Sequence, residues 1–205
     1  VRLIPGRVQI VAEALVGGVY GYVRDVLESD TLARRYFPLI MTIFVFILSL
    51  NWIGLLPGIT GFGIMGENHG SHGLIPFFYP AHTDLNMTIA LAVIAFFTIE
   101  VAGVLAIGLW KYVGKFINFS SPLNFLIGII ELFSELARLI SFSFRLFGNI
   151  FAGKTLLLIA MFFVPFILPV PILAFEIFVG FIQAFIFAVL TLFFIKLAVS
   201  DPHAH

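Results

Sequence analysis

Residues 122–163 read PLNFLIGIIELFSELARLISFSFRLFGNIFAGKTLLLIAMFF. The run is apolar from end to end, yet it carries Glu131, Glu135, Arg138, Arg145, Asn149 and Lys154. A spanning helix needs about 20 mostly apolar residues, so this run is far longer than one crossing requires. Pro165, Pro169 and Pro171 then break it, because proline cannot continue a helix interior. A last apolar run over residues 172–199 carries Glu176, Gln183 and Lys196. Together the two runs predict a helical hairpin that is strongly tilted, or partly outside the bilayer.

Outward from the hairpin, residues 37–56 and 85–110 predict two further spans, the first stopped by Pro57 and Gly58, the second containing Glu100. Before them, Val8, Val11, Ala12, Leu15, Val19, Val23 and Val26 recur at helical spacing, interrupted by Gln9, Glu13 and Arg24. That pattern predicts an amphipathic helix lying at the membrane interface, the alternative being a poorly hydrophobic span. The fold class is therefore an all-α polytopic membrane protein: an interfacial amphipathic helix, two transmembrane helices, then a long strongly tilted helical hairpin. The corresponding divisions are residues 1–36, 37–121 and 122–205. No extended period-2 alternation predicts a β-barrel.

Composition agrees. Hydrophobic residues make up 61% and charged residues 11%, where a soluble domain would carry about 25% charged. The surface must face lipid. Net charge is zero, so no basic field points to nucleic acid, and the absence of cysteine removes disulfides and cysteine metal sites.

Lysine and arginine set the orientation. Arg2, Arg7, Arg24, Arg34 and Arg35 precede the first span, and Lys111 and Lys115 follow the second; residues 57–83 and 163–171 contain none. The first group and the C-terminus are expected on the cytoplasmic side, the latter loops outside.

Charges at bilayer depth cost several kcal/mol and usually mark a pathway. Arg145 is the sharpest case, because arginine cannot shed its proton. At 100° per residue Glu131, Arg138, Arg145 and Asn149 share a stripe about 40° wide, with Glu135 beside it and Ser141 near its edge. The bland reading of Arg145 is an ion pair with Glu131 or Glu135. Along an ideal helix those acids lie about 21 Å and 15 Å away, so neither reaches it. Arg138 is their nearer partner. Across the hairpin, Asn149 should face Gln183, and Lys154 should face Glu176, either as a structural salt bridge or as a proton relay. No carboxylate of this chain is expected beside Arg145. A mobile acid of another subunit would complete it, worth about 4 kcal/mol at about 4 Å and an effective dielectric near 20.

The segment Ser143-Phe144-Arg145-Leu146-Phe147-Gly148-Asn149-Ile150-Phe151-Ala152-Gly153 resembles the signature of subunit a of F-type ATP synthases. Gln183-Ala184-Phe185-Ile186-Phe187 resembles that family's final helix, and Asp84-Leu85-Asn86-Met87-Thr88 the start of its preceding span. Pro5-Gly6-Arg7-Val8-Gln9 resembles the start of its interfacial helix, and the stretch from Asn51 to Pro57 the end of the next span. The resemblance runs through essentially the whole chain in order.

It implies a stator subunit, without a nucleotide site of its own, that forms two aqueous half-channels against a rotating ring of c subunits. Arg145 corresponds to the arginine that separates the half-channels and attracts the deprotonated ring carboxylate. Asn149, Lys154, Glu176 and Gln183 correspond to the outer half-channel, with which Asp84 and Glu100 are grouped. Glu131 and Ser141 correspond to the cytoplasmic exit. Implied partners are the c-ring, peripheral-stalk b subunits and membrane lipid, with no nucleic acid, cofactor or metal. The implied location is an energy-transducing membrane, a bacterial inner membrane; the implied ion is first the proton, with Na⁺ left open because ion choice resides mainly in the ring. No Walker-type phosphate loop occurs, in agreement with a non-catalytic subunit.

Three departures stand out. Family members commonly have Glu or His at Lys154 and His or Glu at Glu176. Gly54 stands where many bacterial relatives have Asp. Glu100 lies in a span where the family pattern has no acid; it could replace the missing acid or pair with Lys154. The sequence opens on Val1 and lacks the further N-terminal span usual in the family; it could be a fragment or have lost an N-terminal segment. Glu67, His69, His72 and His82 read as a solvated outer loop in preference to a metal site. The rival functions are a self-contained transporter, for which no repeat is visible, and a scaffold, for which the buried charges would be a needless cost.

Overall fold

A computed structural model describes residues 6–56, 63–68, 71–76, 84–116 and 122–200. Helix α1 covers Arg7–Leu27, α2 Asp30–Ile53, α3 Leu85–Ile107, α4 Leu109–Phe116, α5 Pro122–Phe163 and α6 Pro169–Val199. Four of them, α2, α3, α5 and α6, are long and apolar enough to cross a membrane. Helix α1 is not among these, and it exposes Ile10, Leu15, Val16 and Tyr22 while burying Val23 and Leu27.

Helix α2 starts at Asp30, ahead of the span expected from Phe37. The cause is local. Glu28 ends α1 in the left-handed conformation, at φ 53°, and the Ser29 hydroxyl caps the new helix by accepting from the Leu32 N–H at 3.4 Å. Pro38 falls within α2, and the Thr42 hydroxyl donates to its carbonyl at 2.7 Å, one turn back along the helix.

Between α2 and α3 lies a β-hairpin that the period-2 reading misses. Strand β1 (Gly63–Asn68) pairs antiparallel with β2 (Ser71–Pro76), Gly63 opposite Pro76 and Asn68 opposite Ser71. Gly66 pairs with Gly73 in the middle of the ladder, and these two residues interrupt the alternation of apolar side chains. His69 and His82 of the possible metal site lie outside the described residues, as do His203 and His205.

Helix α6 lies at the centre. Its buried residues Gly180, Ala184, Phe187, Ala188, Leu192 and Ile195 recur at helical spacing, and the small ones let neighbouring backbones approach closely. Helix α3 mirrors this with Ala92, Ala95, Ile99 and Ala102. Lipid tails are as apolar as leucine, so packing and hydrogen bonds must hold such helices together. Asn51 Nδ2 donates to the Gly180 carbonyl at 2.8 Å, and Trp52 Nε1 to that of Ile177 at 3.1 Å, tying the end of α2 to α6.

Helix α5 runs unbroken for 42 residues, about 63 Å at 1.5 Å per residue. The hydrocarbon layer is about 30 Å thick, so a helix of this length must tilt strongly or project beyond it. It buries a narrow seam at Gly128, Glu135, Phe142, Leu146, Gly153 and Ala160, close to a seven-residue repeat. Phe142 packs on Phe187 of α6 at 4.8 Å between ring centroids. The remaining faces of α5 are exposed and apolar, with Phe133, Phe144 and Leu158 among them.

Helix α3 ends at Gly108, whose φ of 92° belongs to glycine. The chain turns there and α4 folds back, so that the Tyr112 ring lies against Gly103 of α3.

Candidate functional site

The polar residues of α5 fall into two clusters on either side of Arg145. Toward the start of the helix, Arg138 Nη1 donates to Glu135 Oε2 at 2.5 Å, an i,i+3 pair on one helix face. Glu135 is 5% exposed, and the Arg138 guanidinium also lies over the Phe194 ring, 3.9 Å from its centroid. The acid closest to Arg145 along the helix is thus already engaged by another cation.

Arg145 itself is half-buried. Its Nη2 donates to the Ser141 hydroxyl at 3.4 Å, and its Nη1 is buried without a hydrogen-bond partner. Among the described residues none of the ion pairs includes it. A cavity of about 330 Å³ opens between Arg138, Ser141, Phe142 and Arg145 on α5 and Leu190 and Phe194 on α6. Arg145, whose guanidinium has a donor to spare, and Ser141 therefore share one wall of a space large enough for several waters. Glu131 is half-buried one turn before Glu135.

The second cluster lies further along α5. Asn149 and Lys154 are half-buried, as are Gln183 and Glu176 of α6. The Gln183 Oε1 atom is buried and unpartnered. The Glu176 carboxylate rests on Gly153, next to Lys154, where any Cβ would overlap it. The motif glycine thus leaves room for its neighbour across the hairpin, a role the sequence alone does not suggest. Its signal was the glycine at a position facing an acid.

Asp84 stands at the start of α3, where its carboxylate accepts from the Asn86 N–H at 2.9 Å and caps the helix. Glu100 finds its partner on α4. The sequence groups it with the outer residues, as a stand-in for a missing acid or a partner of Lys154. Instead its Oε2 accepts from the Tyr112 hydroxyl of α4 at 2.9 Å. Tyr112 also feels the charges of Glu135 and Arg138. Lys154 is 19 residues beyond Glu135, about 28 Å along α5. The physical cause is the turn at Gly108, which returns α4 to α3; the spacing from Glu100 to Tyr112 is legible only once that turn is known. Burial first, and the Glu100 hydrogen bond second, push the Tyr112 phenol up, so it stays protonated.

What these elements define is a multi-pass helical membrane protein with a half-buried arginine midway along a long helix, in no ion pair among the described residues. The family described as ATP synthase A chain matches residues 1–196. The chain is 34% identical to ATP synthase subunit a of Campylobacter jejuni subsp. doylei over 207 residues, covering 100% of this chain and 82% of that protein. It is 35% identical to ATP synthase subunit a of Campylobacter curvus, covering 97% and 80%. For ATP synthase subunit a 3 of Pelobacter propionicus the identity is 32%, covering 98% and 79%. The chain belongs to the ATP synthase A chain family, that of ATP synthase subunit a.

Proposed function

We propose that this chain is the proton-translocating stator subunit of a rotary ATP synthase in a bacterial inner membrane, with two half-channels that meet a ring of c subunits on either side of Arg145. Membership of the family supports the assembly. The observation that carries the mechanism is the Arg145 guanidinium, buried in part and, among the described residues, in no ion pair with a carboxylate. A permanent cation in an apolar layer needs a counter-charge. A ring carboxylate that passes Arg145 supplies it transiently, and the attraction of about 4 kcal/mol at about 4 Å favours the ionised form.

Protons then reach the ring through one cluster and leave it through the other. Asn149, Lys154, Glu176 and Gln183 line the outer route, which Asp84 borders at the head of α3. Glu131 and Ser141 line the cytoplasmic route. Arg145 keeps the two apart, because a proton cannot cross beside a fixed positive charge without overcoming its repulsion. Each proton releases about 2.3 kcal/mol per 100 mV, which ring rotation delivers to the nucleotide-binding head. The exposed apolar face of α5 is wide enough to meet both ring helices and lipid. Peripheral-stalk b subunits hold the stator against the torque.

The test is Arg145→Ala in the assembled enzyme. Proton-driven ATP synthesis should vanish while the ring and the stalk still co-purify. Synthesis at the wild-type rate would overturn the reading.

A further inference from the structure

Glu100 has no place in the two half-channels as they stand. Its side chain lies on α3, one oxygen bonded to Tyr112 and the other, Oε1, buried without a partner. A carboxylate held this way is costly in an apolar layer unless it serves a charge or a proton. Beside it stands a buried phenol that is 5% exposed, and the charges of the Glu135–Arg138 pair act on that phenol. Arg138 in turn lines the 330 Å³ cavity together with Ser141 and Arg145.

Tyr112 is hydrogen-bonded to Glu100, the charges of Glu135 and Arg138 act on that phenol, and Arg138 lines the cavity at Arg145. The side bearing α4 is the one on which Lys111 lies. From this geometry we infer that Glu100, positioned by Tyr112, is a proton-carrying station of the half-channel on the α4 side, delivering to the cavity beside Arg145. The inference rests on the two-half-channel reading and adds to it an acid from α3, a helix that otherwise supplies only packing and a capped end.

Proton balance is simple. The Glu100 carboxylate accepts a proton from the cavity side and returns it to water on the α4 side, or the reverse. Tyr112 donates its hydroxyl hydrogen bond throughout and is not consumed. Gly103 is what allows the ring to lie close enough, since a Cβ there would stand 2.5 Å from Tyr112 Cε2.

Two substitutions separate a proton station from a structural pin. Glu100→Gln keeps an oxygen to accept from Tyr112 but cannot carry a proton. Tyr112→Phe removes the hydrogen bond and leaves the acid. In the complete enzyme in sealed vesicles, Glu100→Gln should lower both ATP synthesis and passive proton conduction about tenfold. Tyr112→Phe should retain at least half of each, and Glu100→Asp should recover much of the loss. Wild-type conduction in Glu100→Gln, or equal damage from Tyr112→Phe, overturns the inference.

Because the chain has no cysteine, Glu100→Cys offers a second readout. Silver ion added from the α4 side should block conduction in that variant; block only from the opposite side, or no block, sinks the idea. Arg145→Ala serves as the reference. Lost synthesis there with an unaffected Glu100→Gln rejects this station alone, whereas full synthesis in Arg145→Ala rejects the parent reading.

Discussion

The Glu176 carboxylate lies on the bare backbone of Gly153, across the α5–α6 hairpin. The atoms that a Cβ would meet are the far end of a flexible side chain, so they yield before either helix does. Gly153→Ala is therefore expected to leave assembly and thermal stability nearly unchanged while it moves the carboxylate. ATP synthesis in vesicles should fall several-fold, and the loss should appear in the rate and not in the yield of purified complex.

Gly103 presents the opposite case. The neighbour there is the Tyr112 ring, which is buried and stiff. Gly103→Ala forces α4 away from α3 at a cost of about 1–3 kcal/mol, the usual range for overpacking. A lowered unfolding temperature of the purified complex, with α4 newly open to protease, is the expected signature.

Asn51, 7% exposed, donates to the Gly180 carbonyl 129 residues away in sequence. Asn51→Ala should destabilise the α2–α6 contact by about 1 kcal/mol, the net worth of one such bond. Denaturant titration in detergent measures it. Gly180→Ala, whose Cβ would stand 3.1 Å from Asn51 Cβ, should act on the same contact and combine non-additively with it.

Near the end of α6, Lys196 Nζ donates to Glu28 Oε1 at 2.6 Å and joins that helix to the α1–α2 link, where Glu28 lies outside the membrane-crossing segments. The hydrogen bond and then the charge of Lys196 hold the Glu28 carboxyl below its ordinary value. A carboxyl depressed on folding contributes stability above its unfolded pKa, near 4.3, and loses it as pH falls through the lower folded value. Amide exchange at the end of α6 should therefore rise in acid below about pH 4, and Glu28→Gln should remove the dependence. High salt should mimic the change, since the pair is exposed.

The spans were legible because an apolar run of about 20 residues suits a membrane-crossing helix and little else. The isolation of Arg145 was legible too: a helix rise of about 1.5 Å per residue already separates it from Glu131 and Glu135. The start of α2 was not, since a cap at Ser29 outweighs the polarity of residues 30–36. The β-hairpin was hidden by Gly66 and Gly73. The place of Glu100 was not legible, because its partner depends on one left-handed glycine, Gly108, whose conformation no periodicity announces.

The unbroken course of α5 fixes one more property. The phase between its two polar clusters is set by the backbone repeat alone, with no loop to absorb an error. A single inserted residue between Arg138 and Asn149 would swing everything beyond it by about 100°, turning Lys154 out of register with α6. Seven inserted residues would restore the angle but lengthen the separation by about 10 Å. The helix is thereby a gauge, intolerant of small length changes in a stretch where exposed loops would accept them freely.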